Sequence, residues 1–411
     1  MTQTAVVVGA SLAGMNAART LRLEGHEGDI VVLDPDRFAQ YDRPPLSKQF
    51  LAEDLEPDRI MLQAAREDLG LDLRLGCRAT ALDTSTQVLS VQHLDGSIDS
   101  LSYDGLVIAT GAAARHLPDT AGVRGVHVVR TVADSLALRA DLDAGPRRVV
   151  VIGAGFIGGE VAATCRGRGL EVTLVEAMPV PLERALGAEM GAVCAQVHLE
   201  HGVDLRLATG VDGLETRAEA DGGRRVAAVN LSDGSTVPAD VVVVGIGVQV
   251  NTNWLEGSGL TLDDGVVCDP TLLAAPGVTA AGDIARYHSA RFDRSFRIEH
   301  WEHAIAGGEA AARTLLAGFR GDTAEAFDPV PWFWSDQYDR KIQLAGRPEA
   351  TDTARVVHGS TEEFRFVTMY GRAGRLVGVL GMNRPRHVIQ LRGMVEEGTS
   401  FDEACARAEA M

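Results

Sequence analysis

The chain has 411 residues, of which 45% are hydrophobic and 23% charged, with a net charge of −18. That length suits roughly two to four domains, and the charge argues against nucleic acid as the main partner and lends no support to an anionic membrane surface. No apolar window reaches about 18 residues, Gly9 interrupts the first apolar stretch, and no basic region precedes it, so neither a membrane span nor a signal peptide is expected and the cytoplasm is the default location.

The first element is AVVVGASLAGMNAA, residues 5–18. A β-branched run suits a buried parallel strand, a glycine turn lets a ligand approach the backbone, and small residues at helical spacing follow. The turn carries Gly9, Ser11 and Gly14, with serine in the middle of the G-x-G-x-x-G pattern. A second strand, IVVLDPD at residues 30–36, ends in Asp34, roughly 20 residues on, where dinucleotide folds keep an acid for a ribose. The run LVIATGA at residues 106–112 reads as a strand entering Thr110-Gly111, and Pro146-Arg147-Arg148 reads as a turn.

The opening unit then repeats. Residues 149–163, VVVIGAGFIGGEVAA, hold the full pattern as Gly153, Gly155 and Gly158, and EVTLVEA at residues 171–177 supplies the acid Glu176. One such pattern is weak evidence, but two complete strand–glycine–helix–strand–acid units imply two dinucleotides rather than tight helix packing alone. Glu176 favours NADH, because its carboxylate accepts from ribose hydroxyls and repels the 2′-phosphate of NADPH, and no arginine appears before Arg184.

Farther along, GVTAAGDIA at residues 277–285 is a strand ending in Gly282-Asp283, and EHAIAGGEAAARTLL at residues 302–316 has helical composition. Residues 321–331 read as a linker. Strands are expected near 341–346, 354–358, 364–370 and 375–381, and helices near 385–396 and 401–410. Taken alone, LVIATGA or GVTAAGDIA could be an ordinary strand and turn.

With both nucleotide units, however, they resemble the two-dinucleotide-binding-domain flavoproteins of the glutathione reductase superfamily. The runs YDRPPLSK (41–48), EHWEHA (299–304) and PWFWSDQY (331–338) narrow the match. With them the chain resembles the ferredoxin reductases of the putidaredoxin-reductase type, which serve ring-hydroxylating dioxygenases and cytochrome monooxygenases. The resemblance implies an α/β fold with two Rossmann-like domains and a C-terminal α+β domain. It places an FAD domain at residues 1–111 and 245–320, an NAD domain at 112–244 and the C-terminal domain at 321–411.

It also implies the site. Gly9, Ser11, Ala13, Gly14, Asp34, Arg43, Lys48, Ala79, Thr110, Gly111, Arg130, Gly282, Asp283, Trp301 and Trp334 would line FAD. Gly153, Gly155, Ile157, Gly158, Glu176, Arg184 and Gly247 would line NADH. Lys48, one of two lysines in the chain, would set an ammonium near the flavin with Glu160 as its partner; a solvated loop lysine and an exposed helix glutamate are the other readings. Trp301 would lead a helix whose positive end faces the flavin, and Trp332, Phe333 and Trp334 would wall the pocket or fill an inter-domain core. Three positions depart from the family: Ser11, His303, and Val250 where relatives often have proline.

The five cysteines form no C-x-x-C pair, and none lies between Asp34 and Lys48, where thiol-dependent relatives keep theirs. Direct transfer from flavin to a 2Fe–2S ferredoxin then fits. An acidic ferredoxin would dock on RYHSARFDRSFR, residues 286–297, through Arg286, Arg291, Arg294 and Arg297, although a solvated charged loop reads the same way. A same-fold reductase of rubredoxin, a quinone or an ascorbate radical remains open. So does an NADH-sensing flavoprotein of the apoptosis-inducing-factor kind.

Overall fold

The computed structural model describes residues 3–38, 40–52 and 55–411. The chain folds as two compact units, one made of Met1–Asp42, Pro57–Ala113 and Gln249–Pro331, the other of Arg43–Glu56, Ala114–Val248 and Trp332–Met411.

The first unit is built on a six-stranded sheet in the order Leu273–Ala275, Val278–Ala280, Gly105–Ile108, Ala5–Val8, Ile30–Asp34 and Asp72–Leu75. All its pairings are parallel except the antiparallel edge strand Leu273–Ala275. Val6 faces Val31 on one side and Leu106 on the other. Ala5, Val6 and Val7 have no exposed surface, as a strand covered on both faces requires. The helices Leu12–Leu23 and Trp301–Arg320 pack together. Gly308 permits their approach: a Cβ there would lie 2.2 Å from the Ala13 carbonyl oxygen. A three-stranded antiparallel sheet, Arg78–Asp83, Val88–Gln92 and Ile98–Ser102, belongs to the same unit.

The second unit repeats the parallel design with five strands, ordered Val126–His127, Val241–Val244, Arg148–Ile152, Glu171–Val175 and Asp204–Arg206. Strand alternation splits its valines between two cores. Val149, Val151, Val241 and Val243 enter one, and Val150, Ile152, Val242 and Val244 enter the other. The same unit holds a five-stranded antiparallel sheet, Trp332–Gln337, Arg340–Gly346, Arg375–Met382, Arg365–Arg372 and Thr353–Ser360, with helices Pro385–Glu396 and Phe401–Glu409. The strands and helices expected after residue 340 lie where the sequence places them. The aromatic run adds a strand that was not expected, in which half-buried Trp332, Trp334 and Asp336 alternate with buried Phe333, Ser335 and Gln337.

Candidate functional site

Each glycine-rich turn is held by the acid that ends its neighbouring strand. In the first unit the Asp34 carboxylate accepts from the Ala10 amide at 2.7 Å and from the Asp36 amide at 2.8 Å. In the second the Glu176 carboxylate accepts from Ala154 at 2.7 Å and from Met178 at 2.9 Å. The third glycine of each turn admits nothing larger: a Cβ on Gly14 would sit 1.7 Å from the Gly9 oxygen, and one on Gly158 would sit 1.9 Å from the Gly153 oxygen. The helices that follow begin at Ser11 and Gly155, and neither N-cap residue supplies a side-chain hydrogen bond. Helix Val132–Asp143, by contrast, has a full capping box from Thr131 and Asp134. Uncapped amides at a glycine-rich helix start suit a pyrophosphate.

The remaining candidates of the first unit lie on several of its elements. Thr110 donates to the Asn251 carbonyl at 3.2 Å, Asn251 donates back to the Thr110 carbonyl at 2.8 Å, and Gly111 takes a positive φ of 61°. Gly282 is closed over Ala13, whose Cβ would lie 2.9 Å from an added one. Asp283 stands in the short turn Gly282–Ile284, and Ala79 is buried on strand Arg78–Asp83. Trp301 opens its helix and donates from Nε1 to Asp42 at 2.7 Å.

The second unit contains a buried ion pair. Lys48 is 9% exposed and Glu160 3% exposed, and Nζ lies 3.0 Å from Oε1. Glu160 also accepts from the Ser47 hydroxyl at 2.5 Å and the Ser335 hydroxyl at 2.7 Å. Asp336 stands 3.9 Å from Nζ, and the Trp334 ring centroid is 5.8 Å away. Thr164 donates to the Ser47 carbonyl at 2.9 Å, and Gln337 donates to the Ser335 hydroxyl at 3.2 Å. A buried ammonium is tolerated only with such pairing. Neither the solvated lysine nor the exposed glutamate applies. Arg43 donates to the Arg130 carbonyl at 3.2 Å. On the nucleotide side, Ile157 is 45% exposed on the first turn of its helix, Gly247 takes a φ of 95°, and Arg184 is exposed.

Sequence reading missed Ser47 and Ser335. Both lie inside quoted runs, one beside Lys48 and the other on the buried face of an alternating strand. That alternation was the available signal.

The arginine-rich segment is less basic than its own residues suggest. Arg286 pairs with Asp263 at 3.4 Å and Asp264 at 3.7 Å, and Arg297 pairs with Asp264 at 3.3 Å and Glu299 at 2.9 Å. Arg291 donates to the Asp328 carbonyl at 3.4 Å, and Arg294 is exposed. Among the described residues, no helix is long and apolar enough to cross a membrane, and the cysteines are all free.

These residues fit the groups the motifs imply. An added Cβ at Gly155 would meet nothing within 4 Å, and the third glycines keep each helix start close to its strand, so each unit leaves a cradle for one dinucleotide.

Residues 3–308 match the pyridine nucleotide-disulphide oxidoreductase family, and residues 332–411 match the reductase C-terminal family. Rhodocoxin reductase of Rhodococcus erythropolis is 39% identical over 93% of this chain and 86% of its own. The ferredoxin–NAD(+) reductase component of the anthranilate 1,2-dioxygenase system of Burkholderia cepacia is 37% identical over 97% and 95%. The reductase in the covalent putidaredoxin reductase–putidaredoxin complex superposes with a TM-score of 0.89 at 32% identity, covering 100% of this chain and 99% of that one. With its two glycine turns, their closing acids and matches over nearly its whole length, the chain belongs to the pyridine nucleotide-disulphide oxidoreductase family, in the branch formed by the ferredoxin reductases.

Proposed function

We propose that the protein is an NADH:ferredoxin reductase that uses FAD to pass electrons to a 2Fe–2S ferredoxin serving a monooxygenase or dioxygenase. The observation that carries this reading is the pair of glycine turns, each held by a carboxylate, one for each dinucleotide. FAD, when bound, takes a hydride from NADH and gives up electrons singly, which a 2Fe–2S acceptor needs. Asp34, Asp283, Ala79 and Trp301 hold the flavin nucleotide in this scheme, with Arg43, Arg130 and Trp334 as its further contacts. Glu176, Ile157, Gly247 and Arg184 hold NADH. The corresponding domains are 1–111 with 245–320 for FAD, 112–244 for NAD and 321–411 as the C-terminal domain.

Lys48 supplies a fixed positive charge in a place that excludes water, and Glu160 fixes its position. The hydroxyls of Ser47 and Ser335 hold that carboxylate in place. A thiol route has no support: the segment between Asp34 and Lys48 lacks cysteine, and the relatives' names specify ferredoxin.

The ferredoxin docks at the arginine segment through Arg286, Arg291, Arg294 and Arg297, and Arg291 and Arg294 are the pair to reverse. Reversing charge at both (Arg291→Glu with Arg294→Glu) is expected to raise the KM for ferredoxin about tenfold at low salt, while NADH-dependent reduction of ferricyanide stays within about twofold. Steady-state kinetics with both acceptors reads this directly. Unchanged ferredoxin kinetics removes the docking face, and turnover with rubredoxin or a quinone but no ferredoxin removes the assignment of the acceptor.

A further inference from the structure

One cluster in the first unit takes no part in the chemistry above. Cys77 follows the strand Asp72–Leu75, and its Sγ lies 3.5 Å from His93 Nδ1. His93 Nε2 in turn lies 2.9 Å from an Asp99 carboxylate oxygen. The Asp99 carboxylate can only accept, so Nε2 carries a ring proton, and in the neutral ring Nδ1 is the acceptor that faces the thiol. A nucleophile, a base on the nucleophile and an acid orienting the base make a relay for activating sulfur. We propose that Cys77, with His93 and Asp99, is a covalent modification site for peroxides and other small soft electrophiles.

The surroundings support it. Cys77 is half-buried, whereas Cys165, Cys194, Cys268 and Cys405 are buried. Burial pushes the Cys165, Cys194 and Cys268 thiols up to about 12, so they stay protonated and sheltered together. The ionisable groups near it come from neighbouring strands. His93 comes from the hairpin end of Val88–Gln92 and Asp99 from Ile98–Ser102, while Arg74 and Asp72 come from its own strand. The Arg74 guanidinium is held above its ordinary value first by its bond to Asp72. The Leu94 side chain, 64% exposed, covers Gly76, where an added Cβ would lie 2.7 Å from Cδ1; it gives the approach an apolar wall. The Cys77 amide donates to the Asp34 carbonyl at 3.0 Å, which places the sulfur at the end of the sheet that carries the nucleotide acid.

With a peroxide the step is balanced as follows. A sulfur–oxygen bond forms as the oxygen–oxygen bond breaks, sulfur loses two electrons to the peroxide, and the thiol proton passes through His93 to the departing hydroxide or alkoxide. The product is a sulfenic acid.

Timed iodoacetamide labelling of the intact flavoprotein at pH 7, read by peptide mass spectrometry, tests the relay. Cys77 is expected to label at least about tenfold faster than any other cysteine, and His93→Gln to slow it about tenfold. Asp99→Asn, at a residue whose side chain is 75% exposed, is expected to slow it about threefold without disturbing the fold. Hydrogen peroxide followed by dimedone is expected to leave an adduct on Cys77 in the parent protein and much less in His93→Gln. Cys77 labelling no faster than a cysteine in a short unstructured peptide overturns the proposal. So does an unchanged rate in both variants.

Discussion

The two glycine turns use one backbone device with different side chains. The first glycines, Gly9 and Gly153, take φ values of 113° and 96°, in the left-handed region. A Cβ on either would strike a carbonyl oxygen, of Ala109 at 2.3 Å or of Gly245 at 2.4 Å. The middle position differs: Ser11 has φ −88° and ψ −166°, Gly155 has φ −74° and ψ −175°, and nothing lies within 4 Å of a Cβ on Gly155. An extended residue facing open space can carry a small side chain without strain. Serine in the middle of the first turn is therefore a free choice of side chain, while the outer glycines are steric requirements. The acids differ in length, yet both close the turn with 2.7 Å bonds to the residue after the first glycine.

Replacing the third glycine should separate the two units most sharply. Gly14→Val is expected to give a protein that purifies colourless. Gly158→Val is expected to stay yellow while its rate of reduction by NADH falls by on the order of a hundredfold or more. Absorbance of the purified variants and rapid mixing with NADH check both, and a yellow Gly14→Val protein would reverse the assignment of the turns.

Each unit also holds a buried neutral histidine, and acid should unsettle both. Burial pushes His303 in the first and His198 in the second down to about 4, and the neighbouring His201 adds to the effect on His198. Between about pH 6.5 and 4 the unfolded chain binds a proton that the folded chain refuses, so stability is whole above that window and lost as pH falls through it. Each ring should contribute about 3 kcal/mol to the loss, visible in thermal melts across the window and reduced by His198→Asn or His303→Asn. Melting curves that do not change between pH 7 and 4.5 would contradict the burial argument.

Nucleotide choice is a smaller difference. Glu176→Ala is expected to lower the NADH-to-NADPH ratio of kcat/KM about thirtyfold, because a carboxylate beside a 2′-phosphate costs several kcal/mol that alanine does not impose. Smallest of all is Ser11→Gly, for which FAD affinity should move by less than about 0.5 kcal/mol. A large loss there would show that the serine side chain itself holds the cofactor.

What the sequence disclosed follows the reach of each interaction. The strands, turns and acids of both nucleotide units were legible because Gly9 to Asp34 and Gly153 to Glu176 are local patterns. The sheet and helices after residue 340 were legible for the same reason. Lys48 and Glu160 were paired only through resemblance, since 112 positions separate them. Ser335, 175 positions from Glu160, left no local mark beyond the alternation of its strand, which its three large aromatic neighbours concealed. The charge balance of the arginine segment was not legible, because Asp263 and Asp264, which pair with Arg286, lie outside it. The Cys77–His93–Asp99 contacts depend on the pairing of consecutive strands in one antiparallel sheet and have no signature in spacing.

Anaerobic mixing of the purified protein with a slight excess of NADH tests the central claim, which is that two dinucleotides bound by these turns exchange a hydride without sulfur. The account predicts a yellow protein whose visible flavin band bleaches fully and rapidly, and bleaches equally after all accessible thiols have been alkylated. A colourless protein that cannot be reconstituted with FAD, a flavin that stays oxidised, or bleaching abolished by alkylation would contradict it.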